Sequence, residues 1–375
     1  MVASIAFALV LSFDRVQVQE LRTLVESLSP EVRATVESRR DGWVAGQKAT
    51  LIGEGEGFVT KVSRLTESPW NFEPERMQSF DDTPPFLADY AAAKDCGKVL
   101  VALAYALDEG GNPDEAARVM LVLRQLYSRW FEGNIGLTGH LVGSALVAMA
   151  EKTTRTLVAK GSVSIDGLKS LQGSVGDPDF EAFVEVLNRE QDMNTIPNFG
   201  SLTGEGYDRG STVDFLKRWF GAARESAQIG GKLEKADQLK RAFLGDVPKD
   251  DSQRKAYFSA RSNGLGQARS LESIEIFEQA YATVRKNAVE RSLTAIVVAS
   301  QRALKESGKL PADLAGLEAF GLPRGLVDFY SGGSFGYDAA RQIAWSAGLN
   351  GKDDGGKSEP EQLNKSADYI VRLRF

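Results

Sequence analysis

The sequence predicts a mostly α-helical protein: a multi-helix body of antiparallel helical hairpins that ends in a small C-terminal α+β cap. Three observations carry this. Apolar residues recur at three- and four-residue spacing through most of 16–307, the period of one buried helix face. The run Asp108-Glu109-Gly110-Gly111-Asn112-Pro113-Asp114-Glu115 breaks that pattern with a glycine stop and a proline-acidic start, which is how one helix ends and an antiparallel neighbour begins. After Gly308 glycines become dense and three short candidate strands follow, at 335–337, 343–346 and 369–375.

Taken in order, the first helix is predicted over 16–28, where Val18, Leu21, Leu24, Val25 and Leu28 share a face. Ser29-Pro30 ends it and opens the next, with Glu31 beside the positive end of the helix. Residues 42–85 read as a long connecting segment, because LIGEGEGFV and SPWNFEPERMQSFDDTPP are rich in Gly, Pro and Asp; at most a short hairpin is expected around 53–57. From Phe86 a strong helical stripe, including Val99, Leu100, Leu103 and Leu107, runs to the Gly110-Gly111 stop, and its partner helix extends to Trp130. Helices are predicted at 137–160, 164–174 and 179–189, then a Gly- and Pro-punctuated loop at 194–212. Helical spacing returns at 213–226, 233–243 and 253–260, and the longest candidate covers 271–307. No second copy of the 100–130 hairpin recurs at a fixed period, so a single helical domain over 14–307 is predicted rather than a solenoid. Residues 308–375 form the cap, bridged by 310–320.

Length and composition bound the function classes. A chain of 375 residues with 42% hydrophobic content builds ample core without staples. Cys96 is its one cysteine, so an intrachain disulfide and a thiolate-rich metal site within one chain are excluded. The net charge of -6 is spread along the chain rather than gathered, which leaves nucleic acid without the cationic face it needs. His140 is the only histidine; a multi-histidine metal centre is excluded, and its place in LTGHLVGSALVAMA reads as core packing. Ser144 lies one helical turn on, without the strand-to-helix elbow a serine nucleophile requires, and reads the same way.

The N-terminal run MVASIAFALVLSF, 1–13, is nearly all apolar but shorter than a membrane span, and it lacks the basic leader and cleavage site of a signal peptide. One reading makes it the remnant of an export signal or anchor, giving an extracytoplasmic or membrane-associated protein. The other makes it a buried core helix, giving a cytoplasmic one.

Glycine and acidic motifs come next. Gly351 to Ser358 matches G-x-x-x-x-G-K-[ST], yet Asp353 and Asp354 would occupy the phosphate cradle and the polar EPEQLNKSA follows instead of an apolar helix. Nucleotide binding is therefore not predicted. GEGEG at 53–57 is anionic and GEGYDRG at 204–210 lacks a strand-glycine-helix context, so both read as turns. Glu185 with Glu190, or Asp338 beside Tyr337, are acid-base pairings that spacing alone does not separate from a solvated surface. No catalytic residue is assigned.

The C-terminal residues carry a resemblance. Gly308, Pro311 and Leu314 form a turn pattern; Asp328, Phe329, Gly332 and Tyr337 a second segment; Ser346, Gly348, Asn350, Gly351, Asp353 and Asp354 a closing loop. In this order they resemble the C-terminal halves of type II secretion pseudopilins and of uncharacterised planctomycete-type exported helical proteins, which 100–191 also resembles. Phe329 departs from the usual proline and Trp345 from the usual tyrosine. The resemblance implies a cap packed on the preceding long helix and a loop that binds calcium, with Asn350, Asp353 and Asp354 as side-chain donors and Ser346 a weaker one. Hard oxygen donors on a glycine-rich turn suit that ion; a solvated Asp-Gly turn needs none. Some three hundred residues precede the module, so assembly into a pilus-like fibre is not expected.

Three functions follow. The leading one is a non-enzymatic exported or envelope-associated structural or interaction protein, engaging protein partners and touching a membrane only through 1–13. The alternatives are a hydrolase whose carboxylates converge only in the fold, and a secretion-system accessory protein.

Overall fold

The computed structural model describes residues 11–12, 16–38, 47–68, 70, 75–76, 86–132, 137–172, 182–184, 208–228, 231–357 and 368–374. Among them the chain is mostly helical, with a three-stranded antiparallel sheet near the C-terminus, as the periodicity predicts. The chain divides into two compact units. The smaller comprises Ile135–His140 and Asp179–Arg285, together with 1–10; the larger comprises Leu11–Asn134, Leu141–Pro178 and Lys286–Phe375.

In the larger unit the two-residue strands β1 (Leu11–Ser12) and β2 (Glu75–Arg76) pair antiparallel. Helices α1 (Val16–Ser27) and α2 (Pro30–Ser38) meet at Ser29, whose hydroxyl accepts from the Val32 amide at 3.2 Å as an N-cap. Helix α3 spans Gln47–Leu65. Helices α4 (Phe86–Glu109) and α5 (Pro113–Glu132) are the predicted hairpin: Gly111 takes φ 84° and the Asn112 amide donates to the Leu107 carbonyl at 2.9 Å, closing α4. Helix α6 (Leu137–Ala159), which belongs to this unit from Leu141 onward, and α7 (Ile165–Gln172) follow.

Helix α3 corrects the sequence reading. Residues 42–85 read as a connection, yet GEGEG lies inside a 19-residue helix whose Leu51, Gly55, Phe58, Val59 and Val62 are buried at helical spacing. A Cβ on Gly55 would stand 2.6 Å from the Leu103 side chain of α4, so a glycine is what lets the helices approach here. Propensity penalises three glycines in a helix by about 1 kcal/mol each, and burial of the apolar face against α4 outweighs it.

The smaller unit contains α8 (Arg209–Gln228), α9 (Glu234–Leu244), α10 (Asp251–Ser259) and the first half of α11 (Gly264–Ser307), to Arg285. Helix α8 begins earlier than predicted because Asp208 caps it, accepting from the Ser211 amide at 3.2 Å. Phe215 stacks on Phe243 with centroids 4.0 Å apart, Phe220 meets Phe277 edge-on at 4.9 Å, and Leu244, Phe258 and Leu271 form an adjoining core. Of the helix predicted at 179–189, residues 182–184 are described and are helical.

The cap, 308–375, belongs to the larger unit. It consists of α12 (Leu314–Leu317), a 3-10 turn Glu318–Phe320, and strands β3 (Gly336–Asp338), β4 (Ile343–Ser346) and β5 (Tyr369–Arg372) in the order β3-β4-β5. Both pairings are antiparallel, placing Gly336 opposite Trp345 and Ser346 opposite Tyr369. Most of the apolar N-terminal run lies outside the described residues; among those described, no helix is long and apolar enough to cross a membrane.

The glycines of α3 separate two effects. Gly55→Val forces a branched side chain against Leu103 and is expected to destabilise the protein by about 1–3 kcal/mol. Gly57→Ala, where nothing lies within 4 Å of the added carbon, is expected to stabilise it by roughly 0.5–1 kcal/mol. Denaturant midpoints at constant m-value measure both, and equal shifts would refute the packing argument.

Candidate functional site

Charged residues set into otherwise apolar helix faces build a polar interior in the larger unit. Arg124 of α5, inside VMLVLRQL, and Glu151 of α6, inside VAMAEKT, are 3% and 1% exposed. The Arg124 guanidinium donates to Glu151 Oε2 at 2.6 Å and to the Leu171 carbonyl at 2.7 Å, and the Tyr127 hydroxyl donates to Glu151 Oε1 at 3.1 Å. Burial pushes the pKa of Arg124 down, but the charges of Glu151 and Tyr127 and the hydrogen bond to Glu151 together outweigh it and hold the guanidinium protonated.

One turn further along α6, Arg155 makes the second pair. Its Nη1 donates to the Glu290 carbonyl at 2.9 Å and to Thr294 Oγ1 at 3.0 Å, while Nη2 bonds the Glu290 carboxylate and reaches the Tyr369 hydroxyl at 2.9 Å. Tyr369 in turn donates to Glu290 Oε2 at 3.2 Å. Helical spacing of four aligns Glu151 with Arg155 on α6 and Glu290 with Thr294 on α11. The result joins α6, α11 and β5. Gln301 of α11 adds a bond to the Leu373 carbonyl just beyond β5.

Two further buried carboxylates organise the cap. Asp328 accepts from the Tyr330 amide at 3.1 Å, the Ala347 amide at 2.8 Å, and the hydroxyls of Ser331 and Ser346 at 3.1 and 2.7 Å. Asp368, immediately before β5, accepts from the amides of Asp354 at 3.1 Å and Gly356 at 2.7 Å. Between these anchors lies Trp345. A Cβ on Gly336 would stand 1.9 Å from its ring and one on Gly356 3.0 Å, so both glycines make room for the indole. The Trp345 Nε1 donates to Asp353 Oδ1 at 2.7 Å.

Of the four residues expected as calcium donors, Ser346 ends β4 and Asn350, Asp353 and Asp354 occupy the loop that follows, each with its own partners. Ser346 is buried and turned to Asp328. Asp353 accepts from Trp345 and from the Gly355 amide at 2.8 Å. Asn350 Oδ1 accepts from the Lys352 amide at 2.9 Å, and its Nδ2 donates to Asp354 Oδ2 at 3.4 Å. Among the described residues no three His, Cys, Asp or Glu side chains are grouped to hold a metal ion. An ion at this loop would compete with the indole and the amides for the same oxygens.

The remaining sequence candidates are placed as follows. His140 is buried with its ring 5.4 Å from Phe183, and desolvation draws its pKa down to about 3, so it is neutral at physiological pH. Ser144 is buried on the same helix and its carbonyl accepts from Asn287 at 3.2 Å. Asp338 accepts from the Arg341 amide at 2.8 Å and Tyr337 donates to the Pro311 carbonyl at 3.2 Å, so they do not act on one another. Glu185 and Glu190 lie outside the described residues. Sequence reasoning missed Arg124, Glu151, Arg155 and Glu290, although each stands as a charge interrupting an apolar stripe, which is the signal that locates them.

Compared with protein-family models, curated proteins and solved structures, the chain finds no match.

The ionic interior predicts a ranked series. Glu290→Ala leaves Arg155 buried without its carboxylate and is expected to cost about 3–5 kcal/mol. Tyr369→Phe removes one hydroxyl while the ion pair persists, and about 0.5–1.5 kcal/mol is expected. Equal losses in chemical denaturation would mean that the pair does not hold the helices and β5 together.

Proposed function

We propose that this chain is a non-enzymatic structural or interaction protein, exported or envelope-associated, that engages protein partners. One observation carries the reading. Each of the four acidic residues buried among those described, Glu151, Glu290, Asp328 and Asp368, is hydrogen-bonded to guanidinium, hydroxyl or backbone amide donors of the fold, and the covered carboxylate of Asp108 is paired with Lys160. A carboxylate hydrolase needs an acid and a base whose oxygens exchange protons with substrate and water, and these groups are committed to holding helices and loops. Export rests on the apolar start of the chain, and the secretion-accessory alternative on the resemblance of the cap. In assays with generic ester, phosphate, glycoside and peptide substrates, no turnover is expected. Turnover abolished by Glu151→Gln or Glu290→Gln in a folded protein would instead establish the hydrolase.

A second reading retains calcium. Asp353 and Asp354 are neighbours in sequence on one glycine-lined turn, where their mutual repulsion favours a cation. The Asn350 side chain and turn carbonyls would complete an oxygen shell. Millimolar calcium is then expected to raise the melting temperature of the wild type and not of the Asp353→Ala, Asp354→Ala double variant. An unchanged wild-type midpoint would remove the ion from the loop.

A further inference from the structure

We infer that segment 368–373, which carries β5, is an exchangeable plug, and that two copies of this chain pair by docking it into each other. This stands apart from the interaction role proposed above: the exchange needs no outside partner, and that role does not need the exchange.

The segment is gripped at both ends by directional groups. At its start the Asp368 carboxylate accepts from the Gly356 amide at 2.7 Å and from the Asp354 amide at 3.1 Å. The Tyr369 hydroxyl accepts from Arg155 at 2.9 Å and donates to Glu290 at 3.2 Å. Strand β5 pairs antiparallel with β4, from Tyr369 opposite Ser346 to Arg372 opposite Ile343. Beyond it the Leu373 amide donates to the Gln342 carbonyl at 2.9 Å, and the Leu373 carbonyl accepts from Gln301. Tyr369, Ile370, Val371 and Leu373 are buried. The nearest of these receptor groups in sequence, Gly356, is twelve positions away. An acidic hook, a hydroxyl hook and a strand ladder together read the sequence of the segment, in the manner of a peptide added to a sheet.

A second copy offers the same receptor, so exchange replaces each bond with its equivalent. What differs is the connection. Ten residues, 358–367, join Lys357 to Asp368. In the single chain both ends of this connection are held at one place, because the Gly356 amide meets the Asp368 carboxylate. Fully extended, ten residues reach about 35 Å, enough to enter the cap of a neighbour. Closure within one chain has an effective concentration on the order of millimolar, so single chains prevail in dilute solution and exchanged pairs gain as the chain is concentrated. Withdrawal of the plug takes the Tyr369 hydroxyl from the buried Arg155–Glu290 pair, which makes interconversion slow until mild denaturant opens the cap.

The test places one cysteine on each side of the β4–β5 ladder in the full-length chain, Ile343→Cys with Arg372→Cys, which lie opposite one another. The chain's own Cys96 is buried and stands aside. Protein at roughly millimolar concentration is taken into partially denaturing guanidinium, returned to buffer, separated by size and oxidised with diamide. The dimer fraction is expected to run as a covalent dimer on a non-reducing gel and the monomer fraction as a monomer, while neither single-cysteine variant is linked. In the wild-type chain, a synthetic peptide of residues 367–375 in molar excess should abolish the dimer, and the same peptide with Asp368→Ala should do so less. Monomer alone at every concentration, a dimer fraction whose cysteines join within each chain, or a wild-type dimer indifferent to the peptide would overturn the inference.

Discussion

The Arg155–Glu290 pair is where the larger unit takes two full charges out of water, and the placement of its C-terminal half depends on the geometry that makes this tolerable. Removing either ion from water carries a penalty of several kcal/mol, which attraction offsets only when the remaining polar atoms are also bonded. Here they are: Arg155 engages the Glu290 carboxylate and carbonyl, the Thr294 hydroxyl and the Tyr369 hydroxyl. Satisfying all four at once requires α6 and α11 to be in one register and β5 to lie at one height beside them. A shift of either helix by a turn would leave a guanidinium or a carboxylate buried alone. The Arg124–Glu151 pair repeats the device between α5 and α6, and the Thr294 hydroxyl lies within reach of the Glu151 carbonyl at 3.4 Å. Apolar packing alone would allow neighbouring registers of similar energy; ionic bonds with directional partners do not.

The cap uses the same principle with backbone donors in place of guanidinium. Asp328 draws the segment 328–333 and the end of β4 onto one carboxylate, and Asp368 draws the Asp354–Gly356 turn to the start of β5. With those ends held, Trp345 lies between Gly336 and Gly356, and its indole nitrogen meets Asp353. Tyr369 then belongs to both systems, paired with Ser346 across the sheet and bonded to Glu290 in the helical interior. The cap is thus tied to the helices by a residue of its own last strand.

This arrangement bears on function through what it uses up. The buried acidic residues are bound to donors supplied by the fold. In the acidic turn of the cap, Asp353 and Asp354 are instead consecutive and exposed to solvent.

The sequence by itself determined the helical class, the α4–α5 hairpin and the positions of the three cap strands, because each is a local property: apolar period, glycine stop, proline-acidic start, short apolar runs between glycines. It also brought Asn350, Asp353 and Asp354 together, since they are neighbours along one turn. Tertiary structure alone decided the rest. Gly53 to Gly57 reads as a turn until α4 presents a face close enough to need Gly55 without a side chain. Glu151, Arg155, Glu290 and Tyr369 are separated by up to 218 positions; a charge interrupting an apolar stripe marks the three charged residues one by one, but which of them meet is decided only by burial, which demands a partner for every charge and makes them one network.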